Sequence, residues 1–264
     1  MSVQRWYAKN ARDLPWRREG TTPWGVLVCE VMAQQTQVER VAPRWEAWME
    51  RWPDATALSA ASRGEVLRAW SGLGYPRRAA RLHESAEVLV TEYGGEVPNS
   101  YDALISLPGV GPYTANAVLC FAFGRRAVML DTNIRRVLRR AYGAISDEAI
   151  DTVWPSRNGA TWGAAIMELG ALVCTARTPS CTQCPLRHTC QWLAAGQPEE
   201  PTTRKQPAFH GSHRQRRGAI MHALHDGPAT KTALMRISDE AALQSLLADE
   251  LVIRTSRGRY ALPD

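Results

Sequence analysis

The stretch Cys174-Thr175-Ala176-Arg177-Thr178-Pro179-Ser180-Cys181-Thr182-Gln183-Cys184-Pro185-Leu186-Arg187-His188-Thr189-Cys190 decides how this chain is read. Its four cysteines follow the spacing C-x6-C-x2-C-x5-C within 17 residues. Thiolates this close form a compact cage, suited to tetrahedral zinc or to a 4Fe–4S cube. Zinc sites commonly use two C-x2-C knuckles and only one is present, while Pro185 after Cys184 leans toward ferredoxin-type ligation. Spacing alone leaves both metals open. Cys29 and Cys120 lie in apolar stretches and read as core residues.

Outside this loop, helix-period spacing of apolar residues marks segments 24–38, 63–71, 77–93, 113–123 and 133–142. Strand-like alternation is confined to residues 251–262. The expected fold class is therefore all-α with a small C-terminal α+β module. In that module, residues 213–225, 231–237 and 239–249 read as helices, and 251–255 with 259–262 as a hairpin around Ser256-Arg257-Gly258. Helices followed by a terminal hairpin suggest a winged-helix-like unit, which either binds DNA or packs on the core. Between residues 194 and 217 the composition turns to Gly, Pro, Gln and Thr, with Arg204, Lys205, Arg214, Arg216 and Arg217 adding charge. A DNA-facing arm and a plain solvated tether fit equally.

At 264 residues and 45% apolar, the chain can bury one sizeable core plus an appended unit. A net charge of +6 favours a polyanionic partner. No run of about 18 apolar residues suits a membrane span and the start lacks a signal-peptide core. A cytoplasmic protein acting on nucleoid DNA is expected, as a monomer and with its cysteines reduced.

Leu107-Pro108-Gly109-Val110-Gly111 separates two apolar helical stretches, 101–106 and 113–123. Gly109 and Gly111 in such a turn let a phosphate approach the backbone N–H groups that open the second helix. An ordinary tight helix–helix turn has the same look.

Two carboxyls stand in contrasting surroundings. Glu30 is the only charge in residues 25–33, GVLVCEVMA, so desolvation should raise its pKa and keep it protonated. Asp131 follows an apolar run and precedes a helix, where N-cap hydrogen bonds would hold it ionised. Cleaving an N-glycosidic bond needs such a pair, an acid for the leaving base and an anion for the oxocarbenium sugar. A wet helix face for Glu30 and a purely structural cap for Asp131 are the bland alternatives.

These motifs, taken in order, resemble the endonuclease III and MutY superfamily of helix-hairpin-helix glycosylases, over residues 1–195. The cysteine spacing is similar to its cluster loop, which implies a 4Fe–4S cluster on Cys174, Cys181, Cys184 and Cys190. The Leu107–Gly111 turn resembles its DNA-anchoring hairpin. Glu30-Val31-Met32-Ala33-Gln34-Gln35-Thr36-Gln37-Val38 looks like the MutY-type E-V-M-L-Q-Q-T-Q-V, with Ala33 for Leu. Leu130-Asp131-Thr132-Asn133 resembles L-D-G-N, with Thr132 for Gly. The resemblance implies that Glu30 protonates adenine at N7, that Asp131 stabilises or captures the sugar cation, and that Asn133 supports it. Bifunctional relatives carry a lysine where this chain has Tyr113 in Gly111-Pro112-Tyr113-Thr114. No imine can form on a phenol, so a monofunctional enzyme with Tyr113 in its catalytic site is implied.

A target base must leave the duplex to reach Glu30. The resemblance assigns Gln35, Thr36 and Tyr75 to the orphan base, and the amides of Gln34 and Gln35 suit base edges. Arg12-Asp13-Leu14-Pro15-Trp16-Arg17 resembles an R-x-L-P-W-R entry whose Arg12, Leu14 and Trp16 line the adenine pocket. Glu168, in residues 162–174, would contact adenine. The implied architecture has two lobes with a DNA cleft between them: a glycosylase core over 1–195, with a hairpin lobe at 22–128 and an iron–sulfur lobe at 1–21 and 129–195. A basic linker at 196–212 and the module at 213–264 follow. The remainder is too short for the NUDIX-like domain that reads 8-oxoguanine in MutY proteins. The expected activity is hydrolysis of adenine mispaired with guanine or 8-oxoguanine in double-stranded DNA. The rivals are a thymine or other mismatch glycosylase of the same fold, against which Glu30 argues, and a non-catalytic iron–sulfur DNA-binding regulator.

Overall fold

The computed structural model describes residues 2–143, 146–200 and 208–264. Its helices are, in order, α1 (Val3–Asn10), α2 (Pro23–Ala33), α3 (Val38–Arg51), α4 (Ala55–Ser59), α5 (Arg63–Ala69), α6 (Arg77–Tyr93), α7 (Tyr101–Ser106) and α8 (Pro112–Phe123). The order continues with α9 (Thr132–Tyr142), α10 (Asp147–Val153), α11 (Gly159–Leu172), α12 (Gln191–Ala194), α13 (His213–Ala223), α14 (Lys231–Met235) and α15 (Glu240–Ala248). Strands β1 (Ile253–Arg254) and β2 (Tyr260–Ala261) pair antiparallel, Ile253 opposite Ala261 and Arg254 opposite Tyr260. No helix among the described residues is long and apolar enough to cross a membrane.

Two compact units share the chain. The first comprises Met1–Glu30, Pro98–Ser106 and Val110–Thr202, and the second Val31–Val97, Leu107–Gly109 and Thr203–Asp264. In the first unit α11 packs against both α1 and α9. Helix α9 explains itself: Ile134, Val137, Leu138 and Ala141 recur at helical spacing and are buried. Asp131 caps its start and left-handed Gly143 its end. Glycine at 170 permits the close pairing with α11, since a Cβ there would lie 2.7 Å from that of Asn133.

In the second unit α6 receives α4 and α5. Trp48 meets Trp52 and Trp70 edge-on, with centroids 4.6 and 5.5 Å apart. The C-terminal segment of this unit builds its own small core from Ile220, Leu224, Leu234, Leu243, Leu246, Leu251, Val252 and Leu262. Its three helices and terminal hairpin are those expected, although the paired strands are shorter than the alternation suggested.

Residues 24–38 do not form one helix. Helix α2 stops at Ala33, Gln35 turns left-handed (φ 55°), and α3 begins at Val38. The reason is long-range: the Arg78 guanidinium donates to the carbonyls of Val31 and Met32 at 2.9 and 2.8 Å and caps the last turn. Arg204 and Lys205 of the basic stretch lie outside the described residues.

Candidate active site

Glu30 occupies the apolar helix α2, among buried Leu27, Val28, Cys29, Val31 and Met32, and is itself 9% exposed. Burial, which strips water from the anion, pushes its carboxyl up to about 7. The Asp131 charge adds to the rise, while a hydrogen bond from the Tyr113 hydroxyl and the charge of Arg17 oppose it. Tyr113 follows Pro112 in the first turn of α8, whose N-cap is Gly111. Its own pKa is driven well up by burial and then by Glu30 and Asp131, so the phenol stays a neutral donor.

Asp131 makes the expected N-cap: Oδ1 accepts from the Ile134 N–H at 2.6 Å and Oδ2 from Asn133 Nδ2 at 3.2 Å. These bonds favour the carboxylate, as expected of a cap, but they are not the largest influence on it. Burial raises its pKa above the ordinary value, outweighing the bonds from Ile134 and Asn133 and the charge of Arg136. Asn133 is itself oriented, since Arg136 Nη2 donates to its Oδ1 at 2.8 Å and to the Gly170 carbonyl at 2.7 Å. Arg136 Nε reaches the Cys174 carbonyl at 2.7 Å, so a polar chain runs from Asp131 to the cysteine loop.

Glu168 of α11 is 0% exposed. Its Oε1 accepts from the Arg12 backbone N–H at 2.9 Å and from Arg12 Nε at 2.8 Å, and its Oε2 from Arg17 Nη2 at 2.9 Å. Despite a large cost of burial, these bonds bring its pKa down to about 2. The guanidiniums of Arg12 and Arg17 thus cover both Glu168 oxygens. Leu14 is buried and Trp16 half-buried, the latter in a 3-10 turn at Pro15–Arg17 that Leu14 precedes.

The four cysteines are free thiols and line one small cavity, with Val173, Pro179, Arg187, Trp192 and Leu193. Arg140, 3% exposed, points Nη1 at Cys174 Sγ (3.5 Å), and Gln197 Nε2 donates to Cys181 Sγ at 3.3 Å. Four soft thiol donors around a common cavity, two of them receiving N–H groups as sulfur ligands of a cluster do, fit an iron–sulfur group. Among the described residues, no set of three or more His, Cys, Asp or Glu side chains is arranged to hold a single metal ion. Cys29 and Cys120 are buried core residues, as expected.

Within the second unit, Gln34 Nε2 reaches the Gly109 carbonyl at 3.5 Å, and Thr36 Oγ1 accepts from Arg78 at 3.0 Å. Gly109 is left-handed (φ 80°), and a Cβ there would meet Arg81 Cβ at 2.7 Å, so the hairpin turn requires glycine twice over. Gln35 and Tyr75 both have positive φ, 55° and 48°. Glu30, Tyr113, Asp131 and Asn133 thus gather in the first unit with Arg12, Leu14, Trp16, Gly111, Glu168 and the cysteines. Gln34, Gln35, Thr36, Tyr75 and Gly109 belong to the second. Reading by motif quoted Arg17 at the end of the R-x-L-P-W-R entry without giving it a role and passed over Arg78, Arg136 and Arg140; for the last two, their spacing on α9, one turn apart behind Asp131, offered a signal.

This helical fold and its matched segment define a class: residues 28–153 match the HhH-GPD superfamily of base excision DNA repair proteins. Among solved structures, a thermostable thymine-DNA glycosylase is similar, with a TM-score of 0.68 at 27% identity over 73% of this chain and 94% of that one. An endonuclease III bound non-covalently to DNA gives 0.63 at 26% identity, covering 72% and 90%. The adenine DNA glycosylase of Mycolicibacterium smegmatis is 48% identical over 97% of this chain and 93% of its own length. The enzyme of that name from Homo sapiens is 40% identical over 72% of this chain and 38% of its own. The chain belongs to the adenine DNA glycosylase family.

Proposed function

We propose that the protein hydrolyses the N-glycosidic bond of adenine mispaired with guanine or 8-oxoguanine in double-stranded DNA, as a monofunctional base excision glycosylase acting as a monomer in the cytoplasm. The observation that carries this reading is the Glu30 carboxyl, buried, held by Tyr113 and titrating near 7 within reach of the Asp131 field. Protonated Glu30 gives its proton to N7 of the flipped adenine. The C1′–N9 electron pair leaves with the base. Asp131 faces the positive charge that develops on the sugar, and Asn133 keeps that carboxylate oriented. Water then supplies hydroxide to C1′ and a proton to Glu30 or solvent. With a phenol at 113, no amine waits to form an imine and nick the strand.

Arg12 and Arg17, fixed by Glu168, line the base pocket with Leu14 and Trp16. Gly109 and Gly111 present backbone N–H groups to a DNA phosphate, and Gln34, Gln35, Thr36 and Tyr75 meet the opposing base. Cys174, Cys181, Cys184 and Cys190 would hold a 4Fe–4S cluster, and its bonds would tie the ends of the Cys174–Cys190 loop together. The lobe limits read from sequence, 22–128 against 1–21 with 129–195, and the linker at 196–212 belong to the same proposal. Similarity to a thymine-DNA glycosylase favours a second reading, a thymine mismatch enzyme; the acid at position 30 and the higher identity to adenine enzymes weigh against it.

Single-turnover assays on duplexes with adenine opposite guanine and opposite 8-oxoguanine test the proposal. Adenine release is expected from both. Glu30→Gln should lose roughly 10²–10⁴-fold, the usual range for a removed general acid. Asp131→Asn should lose on the order of 10²–10³-fold in transition-state charge stabilisation. Release at the parent rate by either variant defeats the mechanism.

A further inference from the structure

Tyr75 lies where two parts of the second unit meet. Its left-handed backbone (φ 48°) is one that a non-glycine residue keeps only where its surroundings hold it. From below, the Arg78 guanidinium donates to the carbonyls of Leu73 and Gly74, each at 3.0 Å, and stands 5.6 Å from the Tyr75 ring centroid. The same guanidinium reaches Thr36 Oγ1 and the end of α2, so one half-buried arginine fixes the Gln34–Thr36 turn and the Tyr75 loop together.

The other hold comes from far along the chain. Arg214, in the first turn of α13, donates from Nη1 to the Tyr75 hydroxyl at 2.9 Å, with its guanidinium 5.9 Å from the ring centroid. The Phe209 ring lies 5.4 Å from that guanidinium. Helix α13 is itself anchored: Arg217 donates to Asp249 at 2.6 Å and to Ser245 at 2.7 Å, and Asp249 also pairs with Arg77 of α6 at 2.9 Å. A residue 139 positions distant in sequence therefore grips the tip of a strained tyrosine.

We propose that Arg214 is a positioning residue for Tyr75 that sets discrimination between opposing bases. By holding the hydroxyl end, it presents the ring beside the Gln34–Thr36 turn at a preset angle, and the short C-terminal module acts on specificity through this one contact. The proposal rests on reading Tyr75 as the group that meets the orphan base.

The test compares wild type, Arg214→Ala, Arg214→Lys, Tyr75→Phe and the Arg214→Ala/Tyr75→Phe double variant, all full length. Dissociation constants and single-turnover rates are measured for adenine opposite guanine and opposite 8-oxoguanine, across a salt series. A lost charge-assisted hydrogen bond should change the ratio between the two duplexes by roughly tenfold in Arg214→Ala. Arg214→Lys should recover part of it. The double variant should discriminate no worse than Tyr75→Phe alone, because both remove one interaction. The salt slope should be unchanged.

Equal weakening on both duplexes, with the slope reduced by about one, would make Arg214 a phosphate contact and overturn the proposal. Additive losses in the double variant would overturn it too. Should Arg214→Ala melt early, comparing Arg214→Lys with Tyr75→Phe decides the same question. A wild-type protein that binds both duplexes but releases no adenine defeats the enzymatic reading alone, and its ratio of dissociation constants still tests Arg214.

Discussion

Two buried carboxyls, Glu30 and Glu168, meet opposite fates for reasons that are local. Glu30 has one phenol to hold it, so desolvation wins and the carboxyl titrates near 7. Glu168 has two guanidiniums and a backbone N–H, so pairing wins and it titrates near 2. The signs for stability are opposite as well. Glu30, raised above its unfolded value of 4.5, favours the fold fully below pH 4.5, and that contribution is lost as pH climbs to about 7. Glu168, depressed, favours the fold above pH 4.5 and loses that contribution as pH falls toward 2. Replacing Glu168 by Gln strands two arginines that are 29% and 22% exposed, and should cost about 3 kcal/mol in urea unfolding at pH 7. The gap to wild type should narrow at pH 3. An equal gap at both values would show that the charge is not what stabilises. Glu30 was legible because a lone charge in GVLVCEVMA has few places to go. The raised pKa of Asp131 was not, because its cap can be read from neighbours in sequence while its burial depends on distant ones.

Among the elements, punctuation and periodicity served well where contacts are local. The bounds of α6 and α7 follow from proline, glycine and apolar spacing. The end of α2 does not, since Arg78, more than forty residues on, takes the carbonyls that would continue it. Helix α3 went unread for a related reason: the run to Val38 looked continuous, and Pro43 falls inside it, although Val41, Trp45 and Trp48 keep helical spacing. The cysteine loop shows the converse, spacing strong enough to place four thiols on one cavity before any fold is known. Purified protein should therefore show a broad band near about 400 nm from a 4Fe–4S cluster, and Cys184→Ala should lose it while melting earlier. A colourless wild-type protein carrying zinc would refute the iron assignment.

Across the whole molecule, each unit carries a different share of the proposed work: a polar chain behind the chemistry in the first, a base-reading loop in the second. From Asp131 through Asn133 and Arg136 to Cys174, each link is a hydrogen bond of 3.2 Å or less. The residues proposed to do chemistry were visible in sequence because their types are those the proposed reaction would need. The arginines that hold them were not, because any exposed helix face can carry arginine and only folding shows which are buried. The enzymatic reading stands or falls on Glu30 entering the reaction as an acid. The pH dependence of single-turnover adenine release between pH 5 and 9, at constant salt, tests this. A plateau is predicted below about 7, with a fall approaching tenfold per pH unit above it as Glu30 ionises. In Glu30→Gln that limb should vanish along with most of the rate. A wild-type rate that stays level through pH 9, or a limb that survives in Glu30→Gln, would contradict it.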